Sequence, residues 1–147
     1  MSEPEPVDGL LHCAAIYLIT KPEEAAAPLA AIVNTGIGGF TEAVMRAGVI
    51  ITERMSPQDR DERGVPQLHR YILPVDTGDP AAAGFVYDLD TALQEFIAGV
   101  ALDDLERTAA PLEDIRDDQA AQLGFLTRLV TIMGRVSATA AYDEGTL

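Results

Sequence analysis

The chain has 147 residues, 48% of them hydrophobic, and its 24 acidic and 10 basic residues give a formal net charge of −14. This length predicts a single domain with a buried aliphatic core. The negative charge argues against a nucleic-acid or anionic-membrane surface, because both would need a cationic face. The single cysteine, Cys13, excludes an internal disulfide and fits a reducing compartment, so we expect a cytoplasmic protein, or a virion protein if the chain is phage-encoded.

The N-terminal region combines a polar segment with an apolar one. Residues 1–8 are acidic and spaced by prolines, which predicts a flexible tail without the basic start of a secretory signal. Leu10 to Thr20 is almost continuously apolar but too short to span a bilayer. We interpret it as a strand buried on both faces, while a short helix capped by Asp8 remains an open alternative.

Two helices are predicted next, over residues 20–33 and 41–47, with a glycine-rich run at 36–39 between them. Thr20 and Glu23 have the spacing of a capping box, and Pro28 is expected to kink or divide the first helix. A phosphate-binding loop would need a Lys-Ser/Thr pair after its last glycine, where Phe40-Thr41 stands. The glycine run is therefore interpreted as a helix-to-helix turn.

The middle of the chain carries the main positive charge. Between residues 46 and 70 lie five arginines and four acidic residues, whereas the remainder has five basic and twenty acidic residues. Val49–Met55 and Gln67–Val75 have the composition of strands, and the stretch between them is polar. These segments predict a hairpin arm, residues 49–75, with a long charged tip.

The last part of the chain is predicted to be helical. Apolar residues recur at intervals of three and four from Leu89 to Leu105 and from Leu112 to Val136. They predict a C-terminal αα-hairpin over residues 88–140, joined around residues 108–110. The expected fold class is α+β, in one domain of residues 9–147. A small, mostly antiparallel sheet, formed by the apolar run and the two arm strands, would pack against the N-terminal helices and this αα-hairpin.

No catalytic or cofactor motif stands out, and we expect neither an enzyme nor a cofactor. His12, Cys13 and His69 are the only nitrogen and sulfur ligand candidates of the usual kinds, and their spacing matches no familiar zinc pattern. Paired acids can bind Mg²⁺ or support hydrolysis, but the acidic clusters at 103–106 and 113–118 fit a solvated helix face better.

The separation of charge predicts an interaction between copies of the chain. Arginines of the arm could dock on the acidic corner of a neighbouring subunit through bidentate contacts, although the tip could equally be a mobile loop that neutralises its own arginines. The predicted interaction residues are Arg54, Arg60, Arg63 and Arg70 on the basic side and Asp103, Asp104, Glu113 and Asp117 on the acidic side.

Three functions are compatible with these patterns. The first is a non-enzymatic assembly subunit that binds copies of itself and other protein subunits, such as a phage head or tail component, with no direct nucleic-acid or membrane contact. The second is an acidic inhibitor or immunity-type protein that blocks a basic partner such as a nuclease. The third is a small-molecule enzyme or sensor with a pocket between sheet and helices, near Tyr17, Tyr71 and Tyr87.

Overall fold

The computed structural model describes residues 7–68 and 80–143, and these residues form an all-helical fold. They contain no β-strand, and their one bridge of β type is an isolated pairing of Arg60 with Pro66. The predicted α+β class, with its sheet and hairpin, is therefore wrong. The α-helices are α1 (Val7–Thr20), α2 (Ala26–Asn34), α3 (Ile37–Arg54), α4 (Pro80–Ala101), α5 (Leu105–Glu113) and α6 (Gln119–Asp143).

The apolar run expected as a strand is helix α1. Its buried positions, Leu11, Ala14 and Ala15, lie on one face, while His12 and Ile16 are exposed. Ile16 is apolar although it is 60% exposed. Because the exposed face also carries apolar residues, the apolar positions of α1 do not show a helical spacing in the sequence. A run that is apolar at almost every position cannot distinguish a strand from a helix, so the open alternative of a helix is the correct one.

The predicted helix over 20–33 is divided at its start. The Thr20 hydroxyl donates to the Ile16 carbonyl oxygen at 2.8 Å and ends α1, so Thr20 does not form the expected capping box with Glu23. A single 3-10 turn, Pro22–Glu24, then leads into α2. Pro28 lies in the first turn of α2, where its missing N–H costs no helical hydrogen bond.

Helix α3 continues through the segment expected to be the first strand of the arm. Its buried residues recur at helical spacing past the predicted end at Ala47, and they include Gly48 and Ile51. A Cβ on Gly48 would lie 2.9 Å from Cε2 of Phe96, so this glycine permits close contact between α3 and α4. The strand prediction for Val49–Met55 failed because tertiary packing outweighed the β-branched composition.

The predicted arm is a compact loop, residues 55–68, packed against the helices. Met55, Val65 and Leu68 are buried, with exposures of 3% or less. The Asp61 carboxylate accepts hydrogen bonds from the backbone N–H groups of Arg63 and Val65 and so closes the turn at its tip. Residues 1–6 of the predicted tail, and residues 69–75 of the second predicted strand, lie outside the described residues.

The C-terminal part has three helices where two were expected. The predicted joint at residues 108–110 lies inside α5, and the chain turns instead at 102–104 and at 114–118. Asp104 is the N-cap of α5, because its carboxylate accepts from the Arg107 N–H at 3.2 Å. In the described parts of the chain, no helix has both the length and the apolarity needed to cross a membrane.

Three phenylalanines connect α3, α4 and α6 in the core. Phe40 of α3 and Phe96 of α4 both meet Phe125 of α6 edge to face, with centroid distances of 6.4 and 5.7 Å. All three side chains have exposures of 1% or less. Helices α1 and α2 complete the core with aliphatic side chains, including Leu11, Leu29 and Ile32.

Candidate ligand-binding cleft

A cleft of about 470 Å³ lies between α4, α5 and α6. Its lining is mainly apolar, and most of the side chains that form it are small or flat. The apolar lining residues are Ala92 from α4, Ala110 and Pro111 from α5, Ile115 from the following turn, and Ala121 and Phe125 from α6.

The packing of α5 explains why this space is open. Among the described residues, α5 packs closely on α4 and makes little contact with α6. The close approach to α4 occurs where Gly99 lies against Thr108, at the N-terminal end of α5. Farther along α5, the facing positions are alanine and proline, which are too short to reach α6. The cleft is therefore bordered by helices rather than by long loops.

The floor of the cleft is rigid because it belongs to the core. Phe125 lines the cleft but is only 1% exposed, and its ring is held by Phe40 and Phe96. Ala121 lies one helical turn before it on the same face of α6. A ligand in the cleft would contact a wall already fixed by tertiary packing.

An ion pair borders the cleft. Arg107 donates through Nε and Nη2 to the two carboxylate oxygens of Glu95, at 2.9 and 3.3 Å. These hydrogen bonds lower the pKa of Glu95 below its ordinary value and raise the pKa of Arg107. Their side chains are half and one-third exposed, so the pair contacts both solvent and the cleft. It places a fixed polar border beside the apolar wall.

A third charged group, Asp114, lines the cleft at the C-terminal end of α5. It follows the last helical residue, Glu113, and is exposed. None of the described residues forms an ion pair with Asp114. Among the described residues, the charged lining thus comprises two carboxylates and one guanidinium, and that guanidinium is already bonded to Glu95.

Three of the four predicted basic residues bond to other groups of the same chain. Arg60 does not project, because its guanidinium donates to the carbonyl oxygens of Thr52, Met55 and Gly64, the last two at 3.1 Å. Arg54 donates to the Ser137 hydroxyl at 2.9 Å. Arg63 is paired with Asp61 at 3.2 Å, and Arg70 lies outside the described residues.

The predicted acidic residues separate to the two ends of α5. Asp103 and Asp104 precede the helix, whereas Glu113 ends it and Asp117 lies in the turn beyond it. All four are exposed, and Asp103 adopts a positive φ of 55° in the tight α4–α5 corner. They do not form a single cluster, since the nine residues of α5 separate the two groups by about 13 Å.

Tyr17, which was predicted to lie near a pocket, does not line the cleft. Tyr17 is half-buried on α1, and its pKa is raised chiefly by the neighbouring Cys13. Tyr71 and the side chain of Tyr87 lie outside the described residues. In the described parts of the chain, no three His, Cys, Asp or Glu side chains converge to hold a metal ion.

Sequence reasoning missed the residues that form the cleft. Pro111 lies inside α5, although the predicted joint at residues 108–110 would have ended one helix just before it. One signal was available, because Arg107, Ala110, Pro111 and Asp114 have the i, i+3, i+4, i+7 spacing of one helical face. That face is mixed in polarity, which is typical of neither a core nor a solvated helix.

Comparison with models of protein families, with curated proteins and with solved structures returned no match. The geometry of the cleft is therefore the basis for a functional proposal.

Proposed function

We propose that this chain is a small-molecule-binding protein and that its ligand, a compact and mainly apolar compound, binds in the cleft between α4, α5 and α6. The observation that carries the proposal is the cleft itself, about 470 Å³, with an apolar wall and the Glu95–Arg107 pair beside it. Ligand sites in proteins are typically concave, roughly 300–1,000 Å³, and mostly apolar with a few fixed polar groups.

A body of about two fused rings fits within the cleft. Burying about 200 Å² of apolar ligand surface corresponds to roughly 5 kcal/mol, or a dissociation constant on the order of 0.2 mM before the cost of association. Tighter binding would require polar contacts at the border of the cleft. The natural ligand is therefore expected to combine an apolar body with a polar group.

The test is a titration with a neutral probe, naphthylmethanol, followed by amide chemical shifts in uniformly labelled protein. Saturable shifts are expected at Ala92, Ile115 and Ala121. Ala110→Leu, at an exposed position of the cleft, should weaken binding about tenfold by occupying the space. The matched control is Ala31→Leu, at an exposed position on α2, which should leave the affinity unchanged.

A different result would contradict the proposal. If millimolar naphthylmethanol produced no saturable shift, or if Ala110→Leu and Ala31→Leu bound it equally well, the cleft would not be the ligand site. Circular dichroism of each variant separates a loss of binding from a loss of folding.

A second candidate function is association with a protein partner, either a further copy of the chain in an assembly or virion, or a basic protein. The supporting observation is the α4–α5 corner, where Leu102 and Leu105 are 37% and 76% exposed beside Asp103 and Asp104. Apolar side chains ringed by charge are typical of protein interfaces. The prediction that arginines of the loop bind a neighbouring subunit has weaker support, since the Arg60 guanidinium already donates to backbone carbonyl oxygens of α3 and the loop.

Light scattering tests this second candidate at low salt and at about 0.5 M salt, where the Debye length is roughly 4 Å. A multimer that dissociates on Leu105→Ser substitution would support self-association through the corner. A monomer at both salt concentrations would contradict self-assembly, and binding of a basic partner would be the remaining form of this candidate. A titration with a cationic protein at both salt concentrations would test that form.

A further inference from the structure

We propose that the ligand of the cleft is a hydrophobic cation: a compact apolar body carrying one ammonium-type group that lies against Asp114. This inference rests on the proposed function and specifies the charge of the ligand. It is carried by the position of Asp114, a carboxylate without an ion-pair partner, on the lining of a mainly apolar cleft.

The charged groups of the lining favour a cation. Glu95 and Arg107 neutralise one another through two hydrogen bonds, so Asp114 supplies the remaining charge of the described lining residues. Asp104 lies close enough to Arg107 to cap its backbone N–H, which adds a further negative charge near the pair. The whole chain, at −14, adds a long-range field of the same sign.

An anionic ligand is disfavoured for the same reasons. Among the described lining residues Arg107 is the only cationic side chain, and its Nε and Nη2 hydrogens are already directed at Glu95. A carboxylate ligand would have to displace Glu95 and would leave that acid beside it. Like charges at such distances repel, and no other lining residue that the structure describes carries a positive charge to compensate.

The experiment compares three probes with one apolar body: naphthylmethylammonium, naphthylmethanol and naphthoate. Their affinities are measured by amide shift titration of the full chain. Because Asp114 is exposed, the cation is expected to bind about threefold to fivefold more tightly than the neutral alcohol, and naphthoate more weakly than either. In Asp114→Asn the preference for the cation over the alcohol should be lost.

The matched control is Asp117→Asn, which removes the same net charge from an exposed position outside the cleft lining. It should retain the preference for the cation. Equal affinities of the cation and the alcohol in the wild type, or tightest binding of naphthoate, would overturn the cationic ligand while leaving the apolar cleft in place. A loss of preference in Asp117→Asn as large as in Asp114→Asn would overturn the role of Asp114.

The failure of the two proposals can be distinguished. If the alcohol binds and Ala110→Leu weakens it, the cleft is a ligand site whatever its charge preference. If none of the three probes binds, both the cleft proposal and the cationic ligand are overturned.

Discussion

Gly99 of α4 and Thr108 of α5 lie so close that a Cβ on Gly99 would be 2.4 Å from Oγ1 and 2.5 Å from the backbone nitrogen of Thr108. The Thr108 hydroxyl in turn donates to the Asp104 carbonyl oxygen at 2.8 Å, inside the same corner. This contact sets the distance between α4 and α5, and therefore one wall of the cleft.

Gly99→Ala is expected to lower the free energy of unfolding by about 1–3 kcal/mol, because the added methyl group meets backbone atoms that cannot rotate away. The control is Gly124→Ala in α6, where a Cβ meets nothing within 4 Å. That change should raise stability by about 0.5–1 kcal/mol through helix propensity. Urea denaturation measures both, and equal effects would contradict the close contact.

Arg60→Ala is expected to destabilise the fold by about 1–3 kcal/mol, since Arg60 satisfies carbonyl oxygens at the C-terminal end of α3 and in the following loop. Arg63→Ala should change stability by less than about 0.5 kcal/mol, because its pairing with Asp61 is exposed. Urea denaturation of the two variants gives the comparison. If the two variants lowered stability by similarly small amounts, the hydrogen bonds of Arg60 would not matter for the fold, and the predicted exposed arm would regain support.

Gln94 joins the loop to α4, and its replacement should release the loop locally. Its side chain accepts from the Leu68 N–H at 3.0 Å and donates to the Pro66 carbonyl oxygen at 2.9 Å. In Gln94→Glu only the first bond can form, since an ionised carboxylate does not donate. Hydrogen exchange should be faster at Leu68 in Gln94→Leu than in Gln94→Glu, and unchanged exchange in both would contradict this role.

The Glu95–Arg107 pair should contribute stability that depends on pH. Because the folded-state pKa of Glu95 is lowered, the contribution is fully present above the ordinary glutamate pKa, about 4.3, and is lost as the pH falls through the lowered value. Both groups are partly exposed, so solvent screens the pair and the coupling should be weak. A double-mutant cycle with Glu95→Gln and Arg107→Gln, at neutral pH and at about pH 3, measures it. The same coupling at both pH values would contradict the assignment.

Part of the fold was predictable from periodicity. Leu93, Phe96 and Ile97, and likewise Leu126 and Leu129, were assigned to apolar helical stripes and are buried in α4 and α6. Their spacing is regular enough to indicate helix without any knowledge of the partners. The helix boundaries between them were not predictable, because the close approach at Gly99 and Thr108 determines where the chain turns.

The cleft could not be predicted because it depends on where α5 sits relative to α6. Ala110 and Ala121 are ordinary helix formers in sequence, and nothing local shows that they face each other across an open space. The same holds for Arg60, whose hydrogen-bond acceptors are backbone carbonyl oxygens. Because any residue offers such acceptors, their positions can be identified only from the folded chain.

By itself, then, the sequence determined the charge of the protein, its single cysteine and the helical stripes of its C-terminal part, since these follow from composition and local spacing. The tertiary structure decided the fold class, because α1 and the second half of α3 are helical through packing rather than local preference. It also decided which charges remain exposed. Arg60 became part of a loop, and Asp114 became the unpaired charge on the wall of a cleft.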